Sequence, residues 1–370
     1  MSNQSWYMAS ANQRDSHQAL EGEIKCDVCI IGGGFTGASV ALELCQKNID
    51  TVLIEANHIG YGASGRNGGQ ICSGYNLGFD KLAKYFGHDE AKMAWDALES
   101  TKRLIEKRIK DHQIECDLNW GYLHVSLSQG DMDDFKALLD DWAKVGYSNQ
   151  TRLVEKKEIR DFIASDAYIG GLIDDGAGHM HPLNYLIGII KAARRHGLKI
   201  FENTPAQEID FDKGWVRISK GIVHAEHLVL ACNGYLDQSC LKDHSNILLQ
   251  KVANHIVKIK SYMIASEPLT KKEANSLIAD RRAVCDNHHI PCYYRMTHDH
   301  RLLFGARESS IFAPPKNLHH WLRQPLKGVF PQLEGIKIDY CWHGNLAITF
   351  NRMFDLGCIG KTGFYAQGYS

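Results

Sequence analysis

The residues with the clearest chemical consequence are Gly32, Gly34 and Gly37, spaced G-x-G-x-x-G, with the acid Glu55 roughly twenty residues further on. Each suits the binding of a dinucleotide. Gly32 permits a tight turn, Gly34 lets backbone approach a pyrophosphate, and Gly37 lets a helix pack close to a strand. Backbone amides at the helix start, around Phe35 and Thr36, would meet the phosphate charge. Glu55, with Ala56 beside it, is placed to accept hydrogen bonds from ribose hydroxyls. A glycine-rich turn alone is weak evidence, so the flanking elements decide. Residues 26–31 read as a short buried strand, 38–46 as a helix and 51–55 as a second strand, which together make a βαβ unit. The constellation predicts a dinucleotide site without choosing between NAD and FAD.

A second constellation follows at residues 59–70, where glycines and small residues surround Arg66 and Asn67. Such backbone can lie against a flat, charged ligand. As a bare pattern it equally describes a surface loop, and its place directly after the ribose-binding acid favours the ligand. Further along, Tyr293, Tyr294 and Arg295 offer hydroxyls and a carboxylate clamp for a substrate. The competing reading is a sheet segment with aromatic packing and a surface arginine.

Other patterns carry less. Cys26 and Cys29 have C-x-x-C spacing but lie in a predicted strand, where residues three apart point to opposite faces. The eleven cysteines are scattered through a long chain and suit small hydrophobes in a reducing compartment. The histidine pairs 179/181, 288/289 and 298/300 lack a joining cysteine or carboxylate pattern, so no metal site is expected. A net charge of −1 gives no electrostatic reason for a nucleic-acid or anionic-membrane partner. No apolar run approaches a membrane span, and the polar first twenty residues lack the core of a signal peptide. The expected location is the cytoplasm.

The elements that must position these residues read as follows. Residues 1–23 form an arm without periodicity. Helices are expected over 90–110, 132–145 and 183–196, the last stopped by Gly197. Strands are expected at 121–127, 199–201, 216–219 and 227–231. Strands at 262–265, 293–296 and 301–304, with a turn at 298–300, suggest an antiparallel sheet. No linker separates two halves, so two domains are expected to interleave.

The fingerprint, the run Ala63-Ser64-Gly65-Arg66-Asn67-Gly68-Gly69-Gln70, the segment Gly178-His179-Met180-His181-Pro182, and Trp342-His343-Gly344-Asn345 together resemble the FAD-dependent D-amino acid oxidase/glycine oxidase superfamily. The resemblance covers nearly the whole chain and is strongest toward its gamma-glutamylputrescine-oxidising branch. It implies an α/β fold, with a Rossmann-like FAD-binding domain interleaved with an α+β substrate domain on an antiparallel sheet. The FAD-binding domain would comprise residues 24–115, 178–236 and 340–370, and the substrate domain 116–177 and 237–339. The terminal segment and helix that relatives carry beyond this point are absent, so the FAD domain is expected to be truncated.

By the same resemblance, Gly32, Gly34, Gly37 and Glu55 hold the ADP half of FAD. Ser64, Gly65, Arg66, Asn67, Gly68, Gly69 and Gln70 run from the pyrophosphate to the flavin ring. Ala206, Ala231, Cys232 and Asn233 lie against the nucleotide, and Gly344, Gly368, Tyr369 and Ser370 complete the cofactor site. Family members with covalent flavin on this loop carry a histidine there. This chain does not, so FAD is expected to be non-covalent, with Cys292 and Cys358 the alternative attachment points. The implied reaction oxidises the C–N bond of gamma-glutamylputrescine with oxygen as acceptor, releasing hydrogen peroxide. His343 is placed near the flavin as a proton carrier, with Tyr294 and Arg295 as catalytic partners. The alternatives are an oxidase of another secondary amine or amino acid of the sarcosine or glycine type, and a truncated non-catalytic flavoprotein scaffold.

Overall fold

The computed structural model describes residues 4–147, 151–236, 247–310 and 317–369. Its elements build two sheets that share an apolar cluster, with Val28 and Ile30 from one and Met263 and Leu303 from the other.

The first strand, β1 (Gly22–Ile31), ends in four consecutive buried residues, Val28 to Ile31. It runs parallel to β2 (Thr51–Ile54) in the register Val28 to Thr51 through Ile31 to Ile54. Both read as continuous apolar runs because both faces of a parallel sheet are covered. Between them lies α2 (Phe35–Cys45), which buries Gly37, Ala38, Ala41, Leu42 and Cys45 along one side. This i, i+3, i+4 spacing is the stripe that a helix needs to lie on a sheet. Lys199–Phe201 extends the sheet beyond β2, while Gly221–Leu230 and then Gly363–Gln367 extend it beyond β1, all in parallel. Asp355–Ile359 closes that edge antiparallel, and a hairpin of Glu208–Asp210 and Trp215–Ile218 joins Gly221–Leu230.

The second sheet is mainly antiparallel, in the order Ile338–Thr349, Ile256–Ser266, Leu302–Ser310, Tyr293–Met296, Ala283–Asp286, Asn119–Ser126, Gly170–His179, Gln70–Ile71. Its strands come from both halves of the chain, so the two units interleave. The boundary expected at residue 340 falls inside the strand Ile338–Thr349, which belongs to this second sheet. The helix Pro182–Arg195 packs between the two units. The His181 side chain caps its start by accepting from the Asn184 amide, and Gly197 follows its end at φ +96°.

One element departs from the sequence reading. Within the expected arm, residues 4–23 carry a short helix and the start of β1. α1 (Trp6–Ala9) is capped by Ser5 and inserts Trp6 and Tyr7 into the main core, where they are 2% and 0% exposed. Four residues are too few to show a helical period, and the burial comes from contacts far along the chain.

Candidate active site

A cavity of about 890 Å³ runs along the carboxyl ends of β1 and β2, the usual ligand position in a parallel sheet. Its floor is the glycine turn. The Gly32 amide donates to Ile54 O at 2.9 Å, and Gly32 sits at φ +114°, where a Cβ would stand 2.7 Å from the Ala231 carbonyl oxygen. Gly37 faces the strand rather than the cavity, and a Cβ there would come within 2.0 Å of Gly32 O. The helix therefore approaches the strand as closely as backbone allows.

The start of α2 has no cap from its own neighbourhood, since Gly34 offers no side chain. Ser64 supplies one from the following loop, its Oγ accepting from the Phe35 amide at 2.9 Å. The amide end of the helix dipole and the glycine backbone together suit a pyrophosphate. Glu55 accepts from the Gly33 amide at 2.7 Å and the Asn57 amide at 2.9 Å. Burial raises its carboxyl above the ordinary value, against the opposing pull of those amides. Each oxygen keeps a lone pair for a sugar hydroxyl. A second acid that the sequence did not single out, Glu202, holds the Ile59 and His17 amides at 2.7 and 3.2 Å and shapes the same corner.

The sequence-predicted residues separate into two groups. Gly32, Gly34, Phe35, Thr36, Glu55 and Ala56 line the cavity, as do Ser64 and Asn67. Ala206, Ala231, Cys232 and Asn233 form its far wall, and Tyr369 one end. The remainder brace it. Gly65 and Gly69 allow close backbone crossings, a Cβ at either falling 2.2 Å from Gly60 O or Met180 O. Arg66 turns outward, donating to Tyr61 O at 2.8 Å and His343 O at 3.3 Å. Its own carbonyl accepts from Trp342 Nε1 at 2.9 Å. Asn67 ties the loop to itself through Ala63 O and the Gly69 amide. Gly68 O takes Arg295 Nε at 2.9 Å, and Gln70 begins the strand Gln70–Ile71. A Cβ on Gly344 would lie 3.3 Å from Arg66, and the Gly368 amide donates to Asn233. Ser370 lies outside the described residues.

Sequence reasoning missed Tyr235, Asn345 and Leu346 on the cavity wall. Asn345 closes the Trp342-His343-Gly344-Asn345 segment, which was the available signal. Tyr235 gave none.

None of the three side chains expected to be catalytic lines the cavity. Tyr294 is 1% exposed, stacks on Phe304 with centroids 5.4 Å apart, and bonds to the Tyr168 hydroxyl at 2.9 Å. It faces the second core, on the opposite side of its strand from Tyr293. Arg295 is 1% exposed, with Nε bonded to Gly68 O and one terminal nitrogen to Met180 O and the Tyr7 hydroxyl. Neither residue lines the cavity. His343 packs 5.7 Å from the Tyr262 ring, on the face opposite Trp342, and its backbone carbonyl accepts from Arg66 of the loop. Burial, then Lys260 and Arg66, hold its pKa below the ordinary value. Periodicity gave the strand but not which alternate side chains faced the loop. Tyr293 does face it. Its ring occupies the space a Gly305 side chain would take, and its hydroxyl meets Ser261 Oγ at 3.2 Å.

Comparison with known proteins agrees with this geometry. The chain is 37% identical over 99% of its length to the probable oxidoreductase OrdL of Haemophilus influenzae, spanning 83% of that protein. It is 36% identical over 99% of its length to the gamma-glutamylputrescine oxidoreductase of Escherichia coli, spanning 84% of it. Among solved structures, glycine oxidase from Geobacillus kaustophilus superposes with a TM-score of 0.73 at 19% identity, covering 94% of this chain and 90% of that one. That likeness shows the fold. The family model described as DAO, FAD dependent oxidoreductase, matches residues 27–370. The match over residues 27–370 places the chain in the DAO family of FAD-dependent oxidoreductases, and a glycine turn, a helix start and the buried acid Glu55 line its cavity of about 890 Å³.

Proposed function

We propose that the chain oxidises a C–N bond in a small amine, with gamma-glutamylputrescine as the substrate and oxygen as the electron acceptor. The observation that carries this reading is the 36% identity, over 99% of the chain, to a relative named for that substrate. FAD supplies the electron acceptor for C–N oxidation. The chain's own residues bind and orient it. Glu55 receives the ribose, the Gly32–Gly34 turn and the start of α2 receive the pyrophosphate, and residues 64–70 lead toward the flavin ring. Attachment is non-covalent. Residues 62–70 contain neither histidine nor cysteine, and neither Cys292 nor Cys358 lines the cavity. Cys232 lines it, with its thiol directed to Ile31 O.

We keep the division expected from the sequence, with residues 24–115, 178–236 and 340–370 in the FAD-binding unit and 116–177 and 237–339 in the substrate unit, except that the strand Ile338–Thr349 stays with the second sheet. Free thiols at all ten described cysteines suit the cytoplasm. Peroxide formation on adding gamma-glutamylputrescine, sarcosine or glycine tests the substrate. Turnover with the first alone supports the reading, and turnover with sarcosine or glycine alone replaces it with the amino-acid-oxidase alternative.

A further inference from the structure

Arg295 is a buried guanidinium whose partners among the described residues are all uncharged. Nε donates to Gly68 O at 2.9 Å, and one terminal nitrogen donates to Met180 O at 2.9 Å and to the Tyr7 hydroxyl at 3.2 Å. The other terminal nitrogen is buried with no acceptor among the described residues. The side chain is 1% exposed, and its guanidinium lies 5.9 Å from the centre of the Tyr7 ring. A buried cation is normally paired with a carboxylate, because an unpaired one is costly. Here the positive charge is kept, unneutralised, directly behind a loop of the cofactor site. The neighbouring histidines register its field. His179 and His181 are held below the ordinary range by burial first and by Arg295 second.

The geometry also makes Arg295 a stitch. It joins Gly68 to Met180, whose amide in turn donates to Gly69 O at 2.8 Å, and Tyr7 brings the amino-terminal helix to the same point. Lysine could supply the charge, but not a planar fork that reaches three acceptors.

We propose that Arg295 is a positioning residue for the flavin: it fixes the Gly68–Gly69 backbone and places uncompensated positive charge behind it, favouring the electron-rich reduced ring. The proposal rests on the reading of residues 64–70 as the strip that reaches that ring. Low-dielectric surroundings strengthen such a field, and an acid partner would cancel it.

Sulfite tests this without substrate. It adds its lone pair to oxidised flavin and leaves negative charge on the ring, so its dissociation constant reads the local field. In the FAD-loaded protein, R295M is expected to bind sulfite about tenfold more weakly. A tenfold change in a two-electron equilibrium corresponds to a midpoint potential lower by about 30 mV. R295K keeps the charge but not the fork, so its sulfite affinity reads the charge alone and is expected to stay within about threefold of the unsubstituted protein. R295M that holds FAD with unchanged sulfite affinity and potential would overturn the proposal and leave the FAD assignment standing. If R295M does not fold, R295K decides: near-normal sulfite affinity supports the charge, and a tenfold loss refutes it. Unsubstituted protein that takes up no FAD would overturn the cofactor assignment and this proposal together.

Discussion

Glu55 and Gly37 show how single positions control the cofactor groove. Both Glu55 oxygens accept backbone amides, so replacement by Gln sets an NH2 group against one of them. Glu55→Gln is expected to weaken FAD binding about tenfold or more, roughly 1.4 kcal/mol, read from flavin fluorescence on titration. Gly37→Ala places a Cβ 2.0 Å from the Gly32 carbonyl, and a backbone atom cannot swing aside as a side chain tip can. Apo-protein carrying it is expected to recover little FAD on dialysis. Retention at the unsubstituted level would show that α2 need not lie so close. The tight turn and the close helix were legible in the sequence because the motif is local and each glycine answers a local steric need. Arg295 was not. Its acceptors stand 227 and 115 residues away along the chain, and no spacing rule separates a buried stitch from a substrate clamp.

At the scale of elements, α1 and the start of Pro182–Arg195 carry most of what the sequence concealed. Trp6 and Tyr7 meet His181 at ring separations of 5.1 and 5.0 Å, and Tyr7 meets Trp342 at 5.7 Å. Trp6→Ala is expected to cost about 3–5 kcal/mol in urea unfolding, as for other buried aromatic truncations. A loss below 1 kcal/mol would mean that the segment is dispensable. His181 gives the same junction a pH dependence. Its Nδ1 accepts from the Asn184 amide and its Nε2 meets Ser10 Oγ, an arrangement that suits the neutral ring. Burial, with Arg295 next, lowers its pKa to about 3. Between pH 6.5 and 3 the unfolded chain therefore binds a proton that the folded chain refuses. Stability from this group is complete above about pH 6.5 and falls as the solution is acidified, by up to about 1.4 kcal/mol per pH unit. His181→Asn keeps a capping side chain and should flatten that slope. An unchanged slope would assign the acid sensitivity to other groups.

At the scale of the molecule, the strand–helix–strand unit and the antiparallel strands near residues 262–304 could be read from apolar runs and turns. Their assembly could not, because pairings such as Asn119–Ser126 with Ala283–Asp286 join segments far apart in the chain. The loop over residues 62–70 is where the two sheets meet. Ser64 serves α2 of the first unit, while Trp342 and Arg295 hold the loop from the second. Cofactor binding should therefore stabilise both units together, by an amount that grows with free FAD concentration. The most direct test of the central claim is the visible absorption spectrum of the purified chain after saturation with FAD and removal of the excess, followed by acid precipitation. A flavin spectrum near one FAD per chain is expected, with the colour released into the supernatant. A folded but colourless protein would contradict the assignment of the groove, and colour retained in the precipitate would contradict non-covalent binding.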